Sequence, residues 1–303
     1  MFDSDYDFGG FDSLPNVHCA VTALVGMALL ESLEHVSANR LEAVRSAIAR
    51  AAQFVSDERN INAVDKDEIL WAQAYRVRFL AALVQNKFGD TAQYQAALNR
   101  GVSGLEQIQL NSGGWAHEYA NPFVTATALT ALHQAQQAGA PIDSQKVERG
   151  LASLARDRYA SGAYPYFTRE EKKPEPPQSL EASAGRIPIC EMALWMWQKI
   201  DDEQLQKAAR LALGHHKYLN VAYKYDNHTS TMAYGGFFFW YDMHARAEMI
   251  ARINDEPTRK ALAAQHRQLI LDLPEIDGCF VDSHELGRSY GTAMALLSLA
   301  QVQ

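Results

Sequence analysis

Apolar residues along the chain recur at the spacing of helices, without the sustained alternation that strands require. The segment 16–34 is apolar almost all round, whereas the next segment, 39–55, carries its charged residues on one face. A helix of the first kind must be buried on every side, and a helix of the second kind must bury only one face. The pattern therefore predicts inner helices paired with outer helices in an all-α chain, with Asn39 as the N-cap of the first outer helix.

Glycine-aromatic turns separate these helices at nearly regular intervals. The turns begin at Gly113, Gly162 and Gly278, which are 49 and then 116 residues apart, and the second interval is about two repeats. A repeat of about fifty residues with apolar helices indicates stacked helical hairpins. In the first turn, Gly113 and Gly114 permit a tight bend, and Trp115 can fill the wedge between two helices.

The remaining helices follow the same order of inner and outer members. The predicted pairs are 67–87 with 90–107, 122–138 with 144–158, a helix from Pro188 with 203–216, and a helix through Met249 with 256–272. The last inner helix, 282–300, has no outer partner in the sequence. It must close directly against the first pair, or the ring stays partly open.

The turn at Gly113 belongs to a motif that resembles the QW repeat of squalene and oxidosqualene cyclases. The motif reads Arg100-Gly101-x-x-Gly104-Leu105-x-x-x-Gln109-x-x-x-Gly113-x-Trp115. Gly104 stands where that repeat usually has an aromatic residue, and the other copies keep only the Gly-x-aromatic end. The same class of repeat occurs in protein prenyltransferase β subunits.

This resemblance implies an α/α toroid, in which an outer ring of helices surrounds an inner ring. We expect residues 1–14 to form an acidic N-terminal tail and residues 15–303 a single toroid of about five to six helical hairpins. The resemblance covers most of the chain and is more specific for the fold than for the activity, because one fold supports many functions.

Composition and charge narrow the classes of function. The 303 residues carry a net charge of −8, which gives no reason to expect a nucleic-acid partner. Three cysteines are too few for a disulfide scaffold and indicate a reducing compartment. The acidic segment 1–7 lacks the features of a signal peptide, and we expect no apolar run to be long enough to cross a bilayer. We therefore expect a cytoplasmic protein.

Polar and aromatic residues gather just before the predicted inner helices or in their first turns, where helix N-termini would converge on the mouth of a central funnel. The predicted catalytic residues are Asp282, His284, Glu118 and His117. The predicted substrate-binding residues are Trp71, Trp115, Tyr119, Tyr164, Tyr166, Arg186, Glu191, Phe238, Tyr241, His244, Arg288 and Tyr290. Alternatively, the carboxylates complement helix dipoles, and the arginines form structural ion pairs with Glu181 and Asp282.

The motifs that accompany the repeat in known families are incomplete in this chain. The acid motif Asp-x-Asp-Asp of squalene–hopene cyclases is absent, and Asp201-Asp202 lacks its first residue. Another acid, such as Asp282 or Glu118, would need a raised pKa to donate a proton. Asp277-x-Cys279 resembles the first two zinc ligands of prenyltransferases, but the distant His is missing, so we expect neither zinc nor another cofactor.

Three functions remain open. The first is a terpenoid-cyclase-like or prenyl-binding toroid that holds an apolar isoprenoid in an aromatic-lined funnel, with the run 237–241 either stabilising cations, packing the core or touching a membrane surface. The second is a carbohydrate-active toroid that uses His, Tyr and Arg side chains. The third is a non-catalytic toroid that binds a protein or peptide. A deep aromatic cavity favours the first, an open polar groove the second and a filled centre the third.

Overall fold

The computed structural model describes residues 14–168, 179–224, 238–283 and 286–303, and for Phe238 it describes only the backbone. Within these ranges the fold is all-α, as the hydrophobic pattern predicts. The predicted acidic tail, apart from Leu14, lies outside the described residues, as do Phe237 and His284.

Six helices form an inner ring. They are α1 (Leu14–Glu31), α3 (Ile69–Gln85), α5 (Pro122–Gln137), α7 (Ile187–Met196), α10 (Phe238–Ala251) and α12 (Gly287–Gln301). Each packs against the next in this order, and α12 packs against α1, so the ring is closed. The missing outer partner of α12 therefore does not leave the ring open.

Five outer helices pack on the inner ring. They are α2 (Ala38–Ser56), α4 (Thr91–Gln107), α6 (Ser144–Asp157), α8 (Asp202–Gly214) and α11 (Glu256–Leu271), each next to the inner helix that precedes it in the chain. A short helix, α9 (His216–Leu219), and 3₁₀ turns at Leu33–His35, Glu58–Asn60 and Asn220–Ala222 complete the helical elements of the described chain. Two two-residue strands, β1 (Ala116–His117) and β2 (Tyr119–Ala120), pair antiparallel before α5.

The number of buried residues in a helix distinguishes the inner helices from the outer ones. In α3, fourteen of seventeen residues are buried, whereas only three of nineteen residues are buried in α2. This difference follows the all-round apolar pattern of the inner segments and the one-sided pattern of the outer segments.

The first glycine-aromatic turn is fixed by side chains of the repeat motif. The indole N–H of Trp115 donates to the carbonyl oxygen of Leu105 at 2.8 Å, and its ring is fully buried. The amide of Gln109 donates to the carbonyl oxygens of Gly113 and Lys146, both at 2.7 Å. Gly113 has a φ of +93°, and a Cβ there would lie 2.5 Å from the carbonyl oxygen of Arg149. The glycine is therefore required both by conformation and by space.

Two local predictions need correction. Ser37, and not Asn39, occupies the N-cap position of α2. The helix Leu14–Glu31 has a mean hydropathy of 1.4 over 18 residues, so one apolar run in the described chain is long enough to cross a membrane by length and composition. In the structure this helix is α1, which is packed between α3 and α12 in the inner ring.

Candidate functional site

Long connections lead from outer to inner helices at the end of the ring where the inner helices begin, and short connections lie at the opposite end. We call these the N-terminal end and the C-terminal end of the ring. Parts of the long connections, 169–178, 225–237 and 284–285, lie outside the described residues. The described residues form two distinct groups of side chains, one at each end.

An aromatic cluster lies at the N-terminal end, formed by Trp71, Tyr75, Phe123, Tyr166 and Tyr241. The ring of Trp71 stacks on those of Tyr75 and Phe123, with centroids 6.1 and 6.5 Å apart, and meets Tyr241 edge-on at 5.9 Å. Phe123 also lies 5.5 Å from Tyr166. Four helices or connections thus contribute rings to one cluster, in which Trp71, Tyr75, Phe123 and Tyr241 are buried.

The polar edge of this cluster is formed by Glu68 and His117. His117 lies edge-on to Trp71 at 5.6 Å, and its Nδ1 atom donates to the carbonyl oxygen of Asp67 at 2.7 Å. The same Nδ1 atom is 3.8 Å from Oε1 of Glu68, whose side chain is only 18% exposed.

Burial raises the pKa of Glu68 to about 7; His117 opposes this shift, and the nearby carboxylates of Asp65, Asp67 and Glu118 increase it. A large fraction of the Glu68 carboxyl group is therefore protonated near neutral pH. This is the property that the sequence analysis required of a proton donor.

Tyr241 is held in place by its hydroxyl group, which donates to the carbonyl oxygen of Phe123 at 3.1 Å and lies 2.6 Å from Oγ1 of Thr127. Behind it, Tyr290 is also buried. Burial raises the pKa of Tyr290 well above its usual value, and Tyr75, Asp282 and Tyr241 are close enough to raise it further. Asp282 is buried here and accepts a hydrogen bond from the hydroxyl of Ser283 at 3.1 Å.

A second set of predicted substrate-binding residues forms a buried polar network. The hydroxyl of Tyr164 donates to Glu191 at 2.6 Å, and Arg158 forms two hydrogen bonds with the same carboxylate at 2.6 and 3.0 Å. Arg186 donates to the carbonyl oxygens of Tyr164 and Ala182 and lies over the Tyr166 ring at 5.6 Å. These contacts connect the second glycine-aromatic turn to α7.

The remaining predicted residues lie apart from the cluster. Trp115 is fully buried under its turn, and Tyr119 is 56% exposed and meets Phe167 edge-on. Glu118 is exposed at the tip of the hairpin, with a φ of +56°. Arg288 forms an exposed salt bridge with Asp277. Phe238 begins α10, and within the described ranges no group of three His, Cys, Asp or Glu side chains could hold a metal ion.

At the C-terminal end, residues from all six inner helices line a polar cavity of about 1060 Å³. Arg78 forms a buried salt bridge with Glu248 at 2.9 Å, and Nε2 of His244 lies 3.5 Å from the same carboxylate. Burial tends to raise the pKa of Glu248, but Arg78, His244 and Arg252 lower it to about 2. Burial lowers the pKa of His244 to about 4. The floor of the cavity therefore holds an ionised carboxylate and a neutral imidazole at neutral pH.

This cavity corrects one expectation. His244 was predicted at the mouth of a funnel at the N-terminal end, but it lines the cavity at the opposite end. The catalytic and substrate-binding residues predicted from the sequence do not include Glu68, Tyr75, Phe123, Arg78 or Glu248. Two features of the sequence could have indicated these residues. Trp71 and Tyr75 are four residues apart and therefore share one helix face, and charged residues interrupt otherwise apolar inner helices.

Comparison with models of known protein families gives no match for this chain, and comparison with curated proteins gives none either. Among solved structures, the chain is similar to the apo form of the type II terpene cyclase MstE from Scytonema. The TM-score is 0.50 and the sequence identity 13%, over 93% of this chain and 87% of that chain.

Two structures of Salmonella alpha-2-macroglobulin are similar over part of their length only. The Y1175G mutant gives a TM-score of 0.45 at 16% identity over 77% of this chain and 16% of that chain. The methylamine-reacted form gives 0.40 at 16% identity over 75% and 16%. At these identities only the fold is shared, and the chain has a terpenoid-cyclase-like α/α-toroid fold.

Proposed function

We propose that this toroid acts on an apolar isoprenoid that lies against the aromatic cluster, with Glu68 as the proton donor. The observation that carries the proposal is the position of Glu68, whose pKa of about 7 leaves much of the carboxyl protonated at the edge of five aromatic rings. A protonated carboxyl beside an apolar, aromatic surface is the arrangement that proton-initiated cyclisation of an alkene requires.

The proposed reaction needs only the side chains at this end of the ring and solvent water. The Glu68 carboxyl transfers its proton to one carbon of a terminal double bond, whose π electrons form the new C–H bond and leave a tertiary cation. The next double bond of the chain attacks this cation and forms a carbon–carbon bond. Loss of a proton from the final cation to water or to a basic side chain restores a neutral product. Glu68 then recovers its proton from solvent.

Two features support this assignment. The faces of Trp71, Phe123 and Tyr241 offer cation–π stabilisation, which contributes about 0.5–2 kcal/mol per contact. His117 lies 3.8 Å from Glu68, and only 14% of its side chain is exposed. Its imidazole is therefore placed to pass a proton from solvent to the carboxylate. The fold shared with a type II terpene cyclase makes cyclisation the first reaction to test.

The predicted donors Asp282 and Glu118 remain alternatives. Glu118 is exposed at the tip of the hairpin, whereas Asp282 is buried and close to Tyr290. Comparison of Glu68→Gln with Asp282→Asn distinguishes the two buried acids. Loss of turnover in Asp282→Asn alone would transfer the role of donor from Glu68 to Asp282.

The experiment is incubation of the purified protein with geranylgeranyl diphosphate in heavy water, followed by phosphatase treatment and mass spectrometry of the extracted alcohols, because protonation of the terminal double bond leaves the diphosphate in place. We expect a cyclic product that carries deuterium at the protonated carbon. Glu68→Gln should abolish it, and the matched control Asp67→Asn, which changes an exposed neighbouring carboxylate, should retain it. Full turnover in Glu68→Gln would overturn the assignment of the donor, and no bound or converted isoprenoid with the wild-type protein would overturn the proposed function.

A further inference from the structure

The polar cavity at the C-terminal end of the ring has a regular construction that the proposed isoprenoid chemistry does not use. Each of the six inner helices places one polar side chain at the cavity from its last turn or just beyond it. These are Glu31, Gln85, Gln137, Gln198, Arg252 and Gln301, in the order of the helices around the ring. We call them the polar ring.

The charged side chains of the cavity are largely compensated by one another. Arg78 and Arg252 flank Glu248 at 2.9 and 3.6 Å. Lys199 pairs with Glu148 at 3.0 Å. Asp201 caps α8 through the backbone N–H of Gln204 at 2.8 Å. The helix C-termini that meet here carry partial negative charge, which Arg78 and Arg252 also offset. The cations of the cavity are therefore paired, and an anionic ligand finds no unpaired positive charge there. Glu31 also lines the cavity and forms no ion pair with another described residue.

The glutamines of the polar ring have unused hydrogen-bonding capacity. Gln85, Gln137 and Gln198 are exposed and Gln301 is half-buried, and in the described part of the chain their side-chain amides have no protein hydrogen-bond partner. Solvent water hydrates these amides until a ligand replaces it. Each amide offers two donor hydrogens and one acceptor oxygen. Four amides from four helices thus converge on one space, and each can donate to and accept from a hydroxyl group.

Two buried imidazoles add to this set. The Nδ1 atoms of His133 and His244 are buried and have no hydrogen-bond partner among the described residues, and both side chains line the cavity. His244 is only 4% exposed. These two nitrogen atoms have almost no accessible surface, so they make the wall of the cavity polar but do not themselves contact a ligand.

An aromatic face completes the lining. Trp195 is half-buried, lines the cavity and has its indole N–H fixed by Asp202 at 2.6 Å. Its orientation is therefore set before any ligand binds. A flat indole face beside hydrogen-bonding groups suits a ligand with one apolar face and many polar edges. The ring carbons of a sugar present such a face.

We propose that the polar cavity binds an uncharged, hydroxyl-rich small molecule of the sugar class, stacked on Trp195 and hydrogen-bonded by the glutamines of the polar ring. Paired cations disfavour an anionic ligand, and amides match hydroxyl groups in both donor and acceptor roles. The cavity of about 1060 Å³ is large enough for a disaccharide. This site is separate from Glu68 and the aromatic cluster at the other end of the ring.

The test is saturation-transfer difference NMR of the full chain with maltose, cellobiose, sucrose and trehalose, and with glucuronate and glucosamine as charged comparisons. We expect transfer to at least one neutral disaccharide and weaker transfer to the anionic glucuronate. A paired change, Gln137→Ala with Gln301→Ala, should weaken binding about tenfold, since two hydrogen-bonding side chains are lost.

The matched control is Gln136→Ala. Gln136 is an exposed glutamine next to Gln137, but it does not line the cavity. This change should leave binding unchanged, and Glu68→Gln should also leave it unchanged, which separates this site from the proposed isoprenoid site. The absence of transfer to every neutral sugar, stronger binding of a charged sugar, or equal affinity in the paired variant would each overturn the proposal.

Discussion

A Cβ atom on Gly150 would lie 2.7 Å from Cζ3 of Trp115. Gly150 is on outer helix α6, and Trp115 is in the turn that leads into α5. The glycine of one repeat therefore makes room for the tryptophan of the turn before it. This contact gives a physical reason for the glycine of the Arg149-Gly150 pair. The corresponding Gly101 makes room for Val77 instead, since a Cβ there would lie 3.0 Å from Cγ2 of Val77.

Gly150→Ala should destabilise the protein by about 1–3 kcal/mol, because the added methyl group overpacks a fully buried indole. The measurement is the free energy of unfolding in urea. Gly214→Ala is the matched control, since a Cβ on this helical residue meets nothing within 4 Å. Equal stability of the Gly150→Ala variant and the wild type would show that the Trp115 ring can shift at little cost.

The toroid was predictable because its determinants are local. The all-round apolar pattern of α3, the one-sided pattern of α2 and the spacing of glycine-aromatic turns are all visible in the sequence. The sequence does not determine whether α12 closes the ring by packing against α1. It depends on packing between the two ends of the chain, which no local pattern encodes.

The candidate sites were harder to predict because their contacts join distant segments. Arg78 and His244, which meet in the polar cavity, are 166 residues apart in the chain. The carbonyl of Asp67 and the ring of His117, beside Glu68, are 50 residues apart. Sequence patterns identify such residues as polar positions in apolar helices, but the partners that fix their charge appear only in the folded ring.

Glu191→Ala should destabilise the protein by about 3 kcal/mol, because Arg158 and the buried hydroxyl of Tyr164 would lose their shared partner. Glu148→Ala is the matched control, since its pair with Lys199 is exposed and should contribute less than about 1 kcal/mol. Both values come from urea unfolding. Unchanged stability in Glu191→Ala would remove the structural role and favour the predicted role of Glu191 in substrate binding.

His266 should make stability depend on pH below its unfolded pKa of about 6.5. Burial holds the pKa of His266 well below the usual value, and its Nε2 atom donates to the carbonyl oxygen of Met243 at 2.9 Å. As the pH falls below about 6.5, the unfolded chain binds a proton that the native state excludes, so stability decreases.

His266→Gln should reduce this loss of stability between neutral and mildly acidic pH, although other buried imidazoles such as His244 preserve part of it. The measurement is urea unfolding at a series of pH values. His35→Gln replaces an exposed imidazole and serves as the matched control. An identical pH dependence in His266→Gln and the wild type would contradict the assignment.

The protonation of Glu68 can be tested without any substrate. Its pKa of about 7 is above the unfolded value of 4.5, so the native state holds the proton more tightly, and stability should fall as the pH rises from 4.5 to 7. Above this range the native state must bury an ionised carboxylate. Glu68→Gln removes that cost, and at mildly alkaline pH the variant should be more stable than the wild type by up to about 3 kcal/mol.

At acidic pH, where both states of the wild type are protonated at Glu68, the variant and the wild type should have similar stability. Asp67→Asn should show a much smaller pH-dependent gain, because the Asp67 carboxylate only adds to a shift that burial of Glu68 mainly causes. If turnover is found, its rate should decrease as the pH rises through about 7, since the donor must be protonated. A Glu68→Gln variant no more stable than the wild type at alkaline pH would mean that Glu68 ionises normally, and the proposed proton donor would then lose its physical basis.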